Sequence, residues 1–516
     1  MTNFLDTLGE INSVINDFIW IKVGLVLLIG SGIFMSFCNG FFQITHLKTW
    51  ISKTIGSMFH KNVISHSSDS GSISPFQALC TALAATIGTG NIAGVASAIV
   101  TGGPGAIFWM WIAAFFGMMT NYSENTLGIY YRRRNSDNEW SGGAMYYLQD
   151  GLGSYKGCKK LGKILAVLFA CFATLASFGI GNIGQVNKIV ENFVSAFDVK
   201  FLSSRVLYEG VTLYNLIIGL VCVALVGLIV LGGLKRIASF AEKVVPFMVI
   251  LYLIGSITVV VINYKAIIPA IAAIFTTAFK PIAVTGGVLG YVISVVVTQG
   301  FKRGAFSNEA GLGSSVMVHS NSTVKEPITQ GMWGIFEVFI DTIVVCTLTA
   351  LVILTSGVYD LSTGMMVGEN TKEATLVASA FNSVFSFFDI GQKFIAVALF
   401  LFAFTTILGW SHYGSKCIEY LFNGKAVIYY KSIFVLMTVS GALMTSALAW
   451  EISDTFNGFM MVPNLIGVLS LFPLVRKITK NYVDRRIKGK KDVEPLLSYD
   501  PDVQKAHAEE VKKGAD

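Results

Sequence analysis

Long apolar runs, many near twenty residues and separated by short polar segments, set the pattern of this chain. About 20 apolar residues in a helix are needed to cross the hydrocarbon core of a bilayer. On that criterion the pattern predicts spans close to residues 17–41, 75–101, 104–131, 164–187, 211–234, 240–263, 284–318, 328–356, 394–412, 428–449 and 455–475, eleven in all. The expected fold class is therefore an all-α polytopic membrane protein. Two of the runs are interrupted. Residues Ala84 to Asn91 place Thr86, Gly88, Thr89, Gly90 and Asn91 in the middle of an apolar stretch. The run from Ile282 to Val318 is too long for one straight span and is cut by Gly300-Phe301-Lys302-Arg303-Gly304, so it reads as two half-helices. In hydrocarbon an unpaired peptide group costs several kcal/mol, so an unwound segment at that depth persists only where it is buried in protein or lines a cavity. Residues 371–387 are too short and mixed to span, and read as an outer amphipathic or re-entrant helix.

Composition agrees with the pattern: 53% of the 516 residues are hydrophobic against 13% charged, and a mean hydropathy of +0.64 lies outside the range of soluble domains. Seven scattered cysteines without CxxC spacing argue for neither a zinc site nor a disulfide framework. No HExxH, GxSxG or Walker sequence is present, which leaves enzyme readings without support. The net charge of +7 is topological, and nothing in it points to nucleic acid. Lys and Arg concentrate in the loops at 42–74, 132–163, 235–243, 319–327 and 413–427 and in the tail from Arg476, while the alternate loops are sparse. The positive-inside rule then sets the C-terminus in the cytoplasm and, with an odd span count, the N-terminus outside a plasma membrane. Asp6, Glu10 and Asp17 stand where a signal peptide would carry basic residues, so no cleavable signal is expected. With the first span set aside, ten remain, five to a half. The expected division is an N-terminal segment 1–74 with the extra helix, five-helix repeats at 75–263 and 264–475, and a basic tail 476–516. An odd number of spans per half gives the halves opposite orientations, and each half opens on an interrupted helix.

The polar interruptions carry the candidate chemistry. Pro75 suits the first helical turn, and glycines at 88 and 90 permit backbone angles that free carbonyls and amides. Carbonyls at Ala84, Thr86 and Ile87 can hold a small cation, with a side-chain oxygen from Asn91. Amides near Thr89 and Gly90, at the start of the second half-helix, can hold a carboxylate. The competing reading makes Gly90 and Gly94 a close-packing GxxxG face with Asn91 bonding a neighbouring helix. Lys302, Arg303 and Glu309 demand protein or water around them at membrane depth. They are expected to pair among themselves or with Glu337 and Asp341, four apart on the next span, as a structural network or a cytoplasmic gate. Gln299, Gly300, Phe301 and Gly304 are the better pocket candidates in that segment. Thr405 and Thr406 offer hard neutral oxygens of the kind Na⁺ takes, although such pairs usually bond their own backbone carbonyls. Trp410, one turn further, can wall a pocket. Ser177, Phe178, Asn182 and Gln185 are weaker candidates, His319 and His412 read as structural, and Glu124 is expected to reach an interface near Arg132 to Arg134.

These segments, Gly88-Thr-Gly-Asn-Ile-Ala-Gly94, Gly102-Gly-Pro-Gly105, Gly300-Phe-Lys-Arg-Gly-Ala-Phe-Ser-Asn-Glu-Ala-Gly311 and Thr405-Thr406, resemble the alanine or glycine:cation symporter family, in a match covering residues near 75 to 475. The resemblance implies a LeuT-like 5+5 inverted repeat preceded by one extra helix, and uptake of a small neutral amino acid, alanine or glycine, with Na⁺ or less often H⁺. It implies that the Thr89 and Gly90 amides take the substrate carboxylate. It places one cation at the Ala84 and Ile87 carbonyls with Thr405 and Thr406, and a second near Thr86 and Asn91. The expected substrate pocket is Thr89, Gly90, Asn91, Phe178, Gln299, Gly300, Phe301, Thr406 and Trp410. Na⁺ is preferred over H⁺ because the groups at 84–91 and 405–406 do not titrate and residues 244–263 carry no Lys. An H⁺-coupled symporter and, further off, an ion channel are the alternatives. Bulky aromatics in the pocket argue against a channel.

Overall fold

The first interrupted helix is fixed at its start by a reciprocal cap. Ser74 Oγ accepts the Gln77 backbone N–H at 3.1 Å, Gln77 Oε1 accepts the Ser74 N–H at 3.1 Å, and Pro75 occupies the first turn. In this computed structural model, which describes residues 2–59, 71–136, 138–208, 210–279, 289–367, 373–444 and 447–512, the helix Pro75–Thr86 stops at Ile87, whose ψ of 89° leaves the helical region. The chain resumes as Gly90–Gly102, bent by 52°.

The second break is not at Gly300 to Gly304. Helix Leu289–Asn308 runs unbroken through those residues. The two glycines serve close packing instead: a Cβ on Gly300 would lie 2.5 Å from the Ala106 carbonyl oxygen and from Trp109, and one on Gly304 would lie 3.3 Å from Ala113. Both face helix Gly105–Tyr131. The helix ends one turn later, where Glu309, Gly311 and Gly313 take φ of 55°, 91° and 74° before a short helix Val316–His319. A third break, which the pattern ran through as one span, bends Glu451–Ser470 by 58° against Phe472–Ile487.

Eight of the expected spans are single helices or bent pairs long and apolar enough to cross a membrane. The other three expected spans are also helical: Gly105–Tyr131, Leu289–Asn308 and Val427–Leu443. The first two are less apolar because they carry Asn121, Glu124 and Asn125, and Lys302 and Arg303; the third has 17 residues. Several helices overrun their predicted bounds, notably Lys159–Ala196 and Phe387–Phe422. The stretch expected as an outer helix at 371–387 contains Glu373–Asn382, packed on Ile390–Phe422. The hydrophobic pattern is turned outward on Leu213–Val230 and Gly233–Ile262, where Leu220, Leu228, Ile250 and Ile254 are exposed. It is turned inward on Gly105–Tyr131, whose Asn121, Glu124 and Asn125 are buried against Pro327–Val338. That distribution is what a multi-pass membrane protein requires.

Hydrogen bonds gather the basic loops at one end. Ile73 pairs with Asn321 and Thr323 through backbone bonds of 3.0 Å, and Arg132 donates to the carbonyls of Ser320, Ser322 and Val324. Arg132 and Arg134 sandwich the Trp140 ring at 4.1 and 4.0 Å. The tail returns to this end: Arg485 holds Glu326 with two bonds of 2.8 Å, and the Tyr499 N–H donates to the Tyr130 carbonyl. Helix Pro501–Lys512 then sets His507 against Trp140. Burial, with Arg132 nearby, holds the His507 imidazole down at about 4.

Candidate functional site

The unwound residues 87–89 are held open by one side chain. Asn91 Oδ1 accepts the Gly88 N–H at 2.9 Å, which replaces a helical bond that Ile87 has broken. Gly88 and Gly90 allow two other helices to close in. A Cβ on Gly88 would meet Thr406 Oγ1 at 2.5 Å, and one on Gly90 would meet Phe306 and Ser307 at 3.3 Å. Gly181 gives Trp410 its place, since a Cβ there would lie 2.4 Å from the Trp410 Cβ.

These approaches enclose a small cavity. Ala85, Thr86, Gly88, Thr89 and Gly90 form one wall, and Phe306 and Glu309 form the second. Thr406 and Trp410 form the third, and Ile180, Gln185 and Asn457 complete it. Thr89 Oγ1, Gln185 Oε1 and Asn457 Oδ1 are buried there without a hydrogen-bond partner. Buried polar atoms in folded proteins are paired in about nine cases of ten, so three unpaired ones facing one cavity mark a place for a polar guest. Glu309 is 3% exposed, accepts a bond from Ser314 Oγ and faces the Trp410 indole.

A second cluster lies where the two breaks meet the π-helical segment Phe339–Cys346. The Asp341 carboxylate accepts from Asn91 Nδ2 at 2.6 Å, Ser307 Oγ at 2.8 Å and Thr342 Oγ1 at 2.8 Å. Both of its oxygens are engaged, one by Asn91 and the other by the two hydroxyls. Among the described residues no Lys, Arg or His forms an ion pair with it.

The expected charge network is differently wired. Lys302 pairs with Asp454 at 2.7 Å and donates to Asn16 at 2.9 Å, beside the Trp20 ring of the N-terminal helix. Arg303 donates to Ser97 Oγ at 3.0 Å. Glu337 pairs with His319 at 3.0 Å and accepts from Asn121 at 2.9 Å. No cation of this group meets Glu309, Glu337 or Asp341, because Lys302 and Arg303 sit on the helical side of the break and the acids beyond it. Glu124 does not reach an interface: it is 1% exposed and bonded to Asn464 and to the Gly311 N–H.

Of the residues singled out in the sequence, Thr86, Thr89, Gly90, Gln185, Thr406 and Trp410 line the cavity. Asn91 lies behind it, between Gly88 and Asp341. Gln299, Gly300 and Phe301 are not brought to it. Gln299 packs beside Gly102, and Gly300 and Phe301 pack on Trp109. Phe178 packs on Tyr430 and Phe434, Ser177 bonds Tyr430, and Asn182 bonds the Phe434 carbonyl. Thr405 bonds the Leu401 and Phe402 carbonyls and Thr406 bonds that of Phe402, the ordinary habit of helical threonines. Ala84 is buried within its helix, and the Ile87 N–H is bonded to the Leu83 carbonyl. Phe306, Ser307, Asn457 and Thr342 were not singled out. Asn457, one of two amides in the apolar run with Asn464, was the one legible signal among them.

The sequence model of the sodium:alanine symporter family matches residues 5–495. The chain is 41% identical over 482 residues to the sodium/alanine symporter AgcS of Methanococcus maripaludis, covering 93% of this chain and 98% of that protein. In Bacillus subtilis it is 36% identical to the "Probable sodium/glutamine symporter GlnT", over 94% of this chain and 93% of the relative. It is 34% identical there to the amino-acid carrier protein AlsT, over 93% of each. Together with a helical, membrane-spanning architecture, these matches make the molecule a transporter and not an enzyme: the chain belongs to the sodium:alanine symporter family.

Proposed function

We propose that the chain is a Na⁺-coupled symporter that imports a small neutral amino acid, alanine or glycine, by alternating access. The observation that carries the reading is the enclosed cavity with three unpartnered buried polar atoms, Thr89 Oγ1, Gln185 Oε1 and Asn457 Oδ1, at the mouth of an unwound helix. The N-terminus of the half-helix from Gly90 supplies amides and a positive dipole end for the substrate carboxylate. Glu309, Gln185 and Asn457 supply acceptors for its ammonium, and Phe306 and Trp410 limit its side chain. The names of AgcS and AlsT support an amino acid as cargo, and AgcS supports alanine with sodium.

One cation belongs at the Ala84 and Ile87 carbonyls with Thr405 and Thr406. The second, expected near Thr86 and Asn91, is better centred on Asp341, where Ser307 and Thr342 add hydroxyl oxygens to a carboxyl group. Asn91 then acts by holding the carboxylate rather than by ligating the ion. This removes one ground for choosing Na⁺ over H⁺, since Asp341 titrates. The choice of Na⁺ now rests on the absence of Lys in 244–263 and on the sodium in the relatives' names. The ten spans after the first form the LeuT-like 5+5 repeat, 75–263 and 264–475, with the basic end cytoplasmic and the N-terminus outside the plasma membrane. Radiolabelled alanine uptake into proteoliposomes tests the reading: a Na⁺ gradient drives it, and a pH gradient without Na⁺ does not.

A further inference from the structure

Beyond Phe306 lies a second cavity. It shares Thr89, Gly90 and Phe306 with the first and adds Ala93, Gly94, Lys188 and Arg303. The two are stacked along one column, because three walls advance together: Gln185 gives way to Lys188, Gly90 to Ala93 and Gly94, and Phe306 to Arg303, each three or four residues along its helix. One helical turn is about 5.4 Å, so the Phe306 ring and the Thr89-Gly90 backbone are the partition between neighbouring rooms. In the proposed orientation the second room is on the external side.

Their electrostatics are opposite. The first room contains Glu309 and neutral groups, whereas the second contains two cationic side chains. Lys188 is paired at 3.0 Å with Glu191, which places an acid at the rim. Among the described residues Arg303 donates to the neutral Ser97 hydroxyl, and its Nε is buried without a partner there. Among the described residues no carboxylate pairs with it. A half-buried guanidinium at membrane depth without a counter-charge is costly, and its planar donor fork suits a carboxylate.

We infer that the second cavity is a staging site for the amino acid. The substrate carboxylate docks on Arg303 and Lys188, its ammonium faces Glu191, and its side chain lies over Ala93 and Gly94. It then passes Phe306 into the inner room, where the carboxylate is handed to the Thr89 and Gly90 amides. The two rooms thus select for the zwitterion twice, and a cationic amino acid is repelled at the outer one, by Arg303 and Lys188.

The inference rests on the reading of the chain as an amino acid carrier, and initial-rate alanine uptake in proteoliposomes separates the two. Arg303→Gln and, independently, Lys188→Gln are expected to raise the alanine KM about tenfold, the scale of one lost charge-assisted bond, with Vmax and the Na⁺ half-saturation retained. Arg303→Lys recovers part of the loss. Unchanged KM in both correctly inserted Gln variants overturns the staging site while leaving the carrier intact. Loss of Vmax in both at unchanged KM overturns it too, by making these cations structural. Replacing chloride by gluconate leaves wild-type KM unchanged; a chloride requirement abolished by Arg303→Gln assigns the cavity to an inorganic anion and overturns it. A wild type that takes up no amino acid overturns both readings.

Discussion

Two buried carboxylates that meet the helix Leu289–Asn308, Asp454 at Lys302 and Asp341 at Ser307, are served in different ways. Asp454 has a lysine at 2.7 Å, with Asn16 and the Trp20 indole of the N-terminal helix closing round the pair. Asp341 has three neutral donors and no ion-pair partner among the described residues. A buried charge needs a counter-charge or a proton. The Lys302–Asp454 pair has its own, so it is complete in the resting protein and acts as a latch. Lys302 lies one turn from Phe306 and Asp454 about one turn from Asn457, both in the cavity wall. Asp341 is completed by a proton or, in the proposed reading, by a cation, which then ties together the three elements that carry Asn91, Ser307 and Thr342. In the proposed reading one carboxylate holds the pocket shut, and the other senses whether it is loaded.

If that contrast is right, neutralising the two acids has unequal effects. Asp341→Asn, which keeps the size of the group, is expected to lower Na⁺-driven alanine uptake about thirtyfold or more, since truncating one member of a buried charge pair, here carboxylate and bound cation, costs about 2–5 kcal/mol. Normal uptake with unchanged Na⁺ dependence in that variant breaks the comparison. Gly88→Ala tests the close approach at the pocket itself. Its methyl would press on Thr406 Oγ1, and overpacking of about 1–3 kcal/mol corresponds to a roughly five- to hundredfold fall in uptake. Undiminished uptake in Gly88→Ala removes the close approach from the account of the pocket.

The latch should give less. Lys302→Met is expected to change alanine KM by up to about tenfold without altering ion stoichiometry, and the exchanged pair Lys302→Asp with Asp454→Lys to recover part of it. Equal loss in the single and exchanged variants makes the pair a structural contact only. The smallest effect concerns the tail. His507 is held at about 4, below its ordinary 6.5, so docking of Pro501–Lys512 is favoured by the neutral imidazole. That contribution is whole above about 6.5 and is lost as pH falls from 6.5 towards 4. Proteolysis of the tail should quicken over that window in the wild type and not in His507→Asn.

Most of the helical order was legible, because the length of an apolar run is fixed by the thickness of the hydrocarbon core. The first break was legible too, since polar residues and glycines interrupt one run together. The second was misplaced by one to two turns for a physical reason. Gly300 and Gly304 look in sequence like Gly88 and Gly90, but what they admit is the backbone of a neighbouring helix, and only the fold reveals that neighbour. The expectation that Glu337 and Asp341 share one face as partners for Lys302 and Arg303 failed for another reason. Spacing by four puts residues on one face of an α-helix, yet the chain turns π-helical from Phe339, which rotates Asp341 towards Asn91 and leaves Glu337 with His319. Thr406 and Trp410 could be read because an unbroken helix carries both.

The most direct measurement is the Na⁺ concentration dependence of radiolabelled alanine uptake into proteoliposomes, for the wild type and Asp341→Asn side by side. The account predicts saturable, Na⁺-dependent uptake in the wild type and loss of that dependence in the variant. Wild-type uptake driven equally well by a pH gradient in the absence of Na⁺ would contradict it.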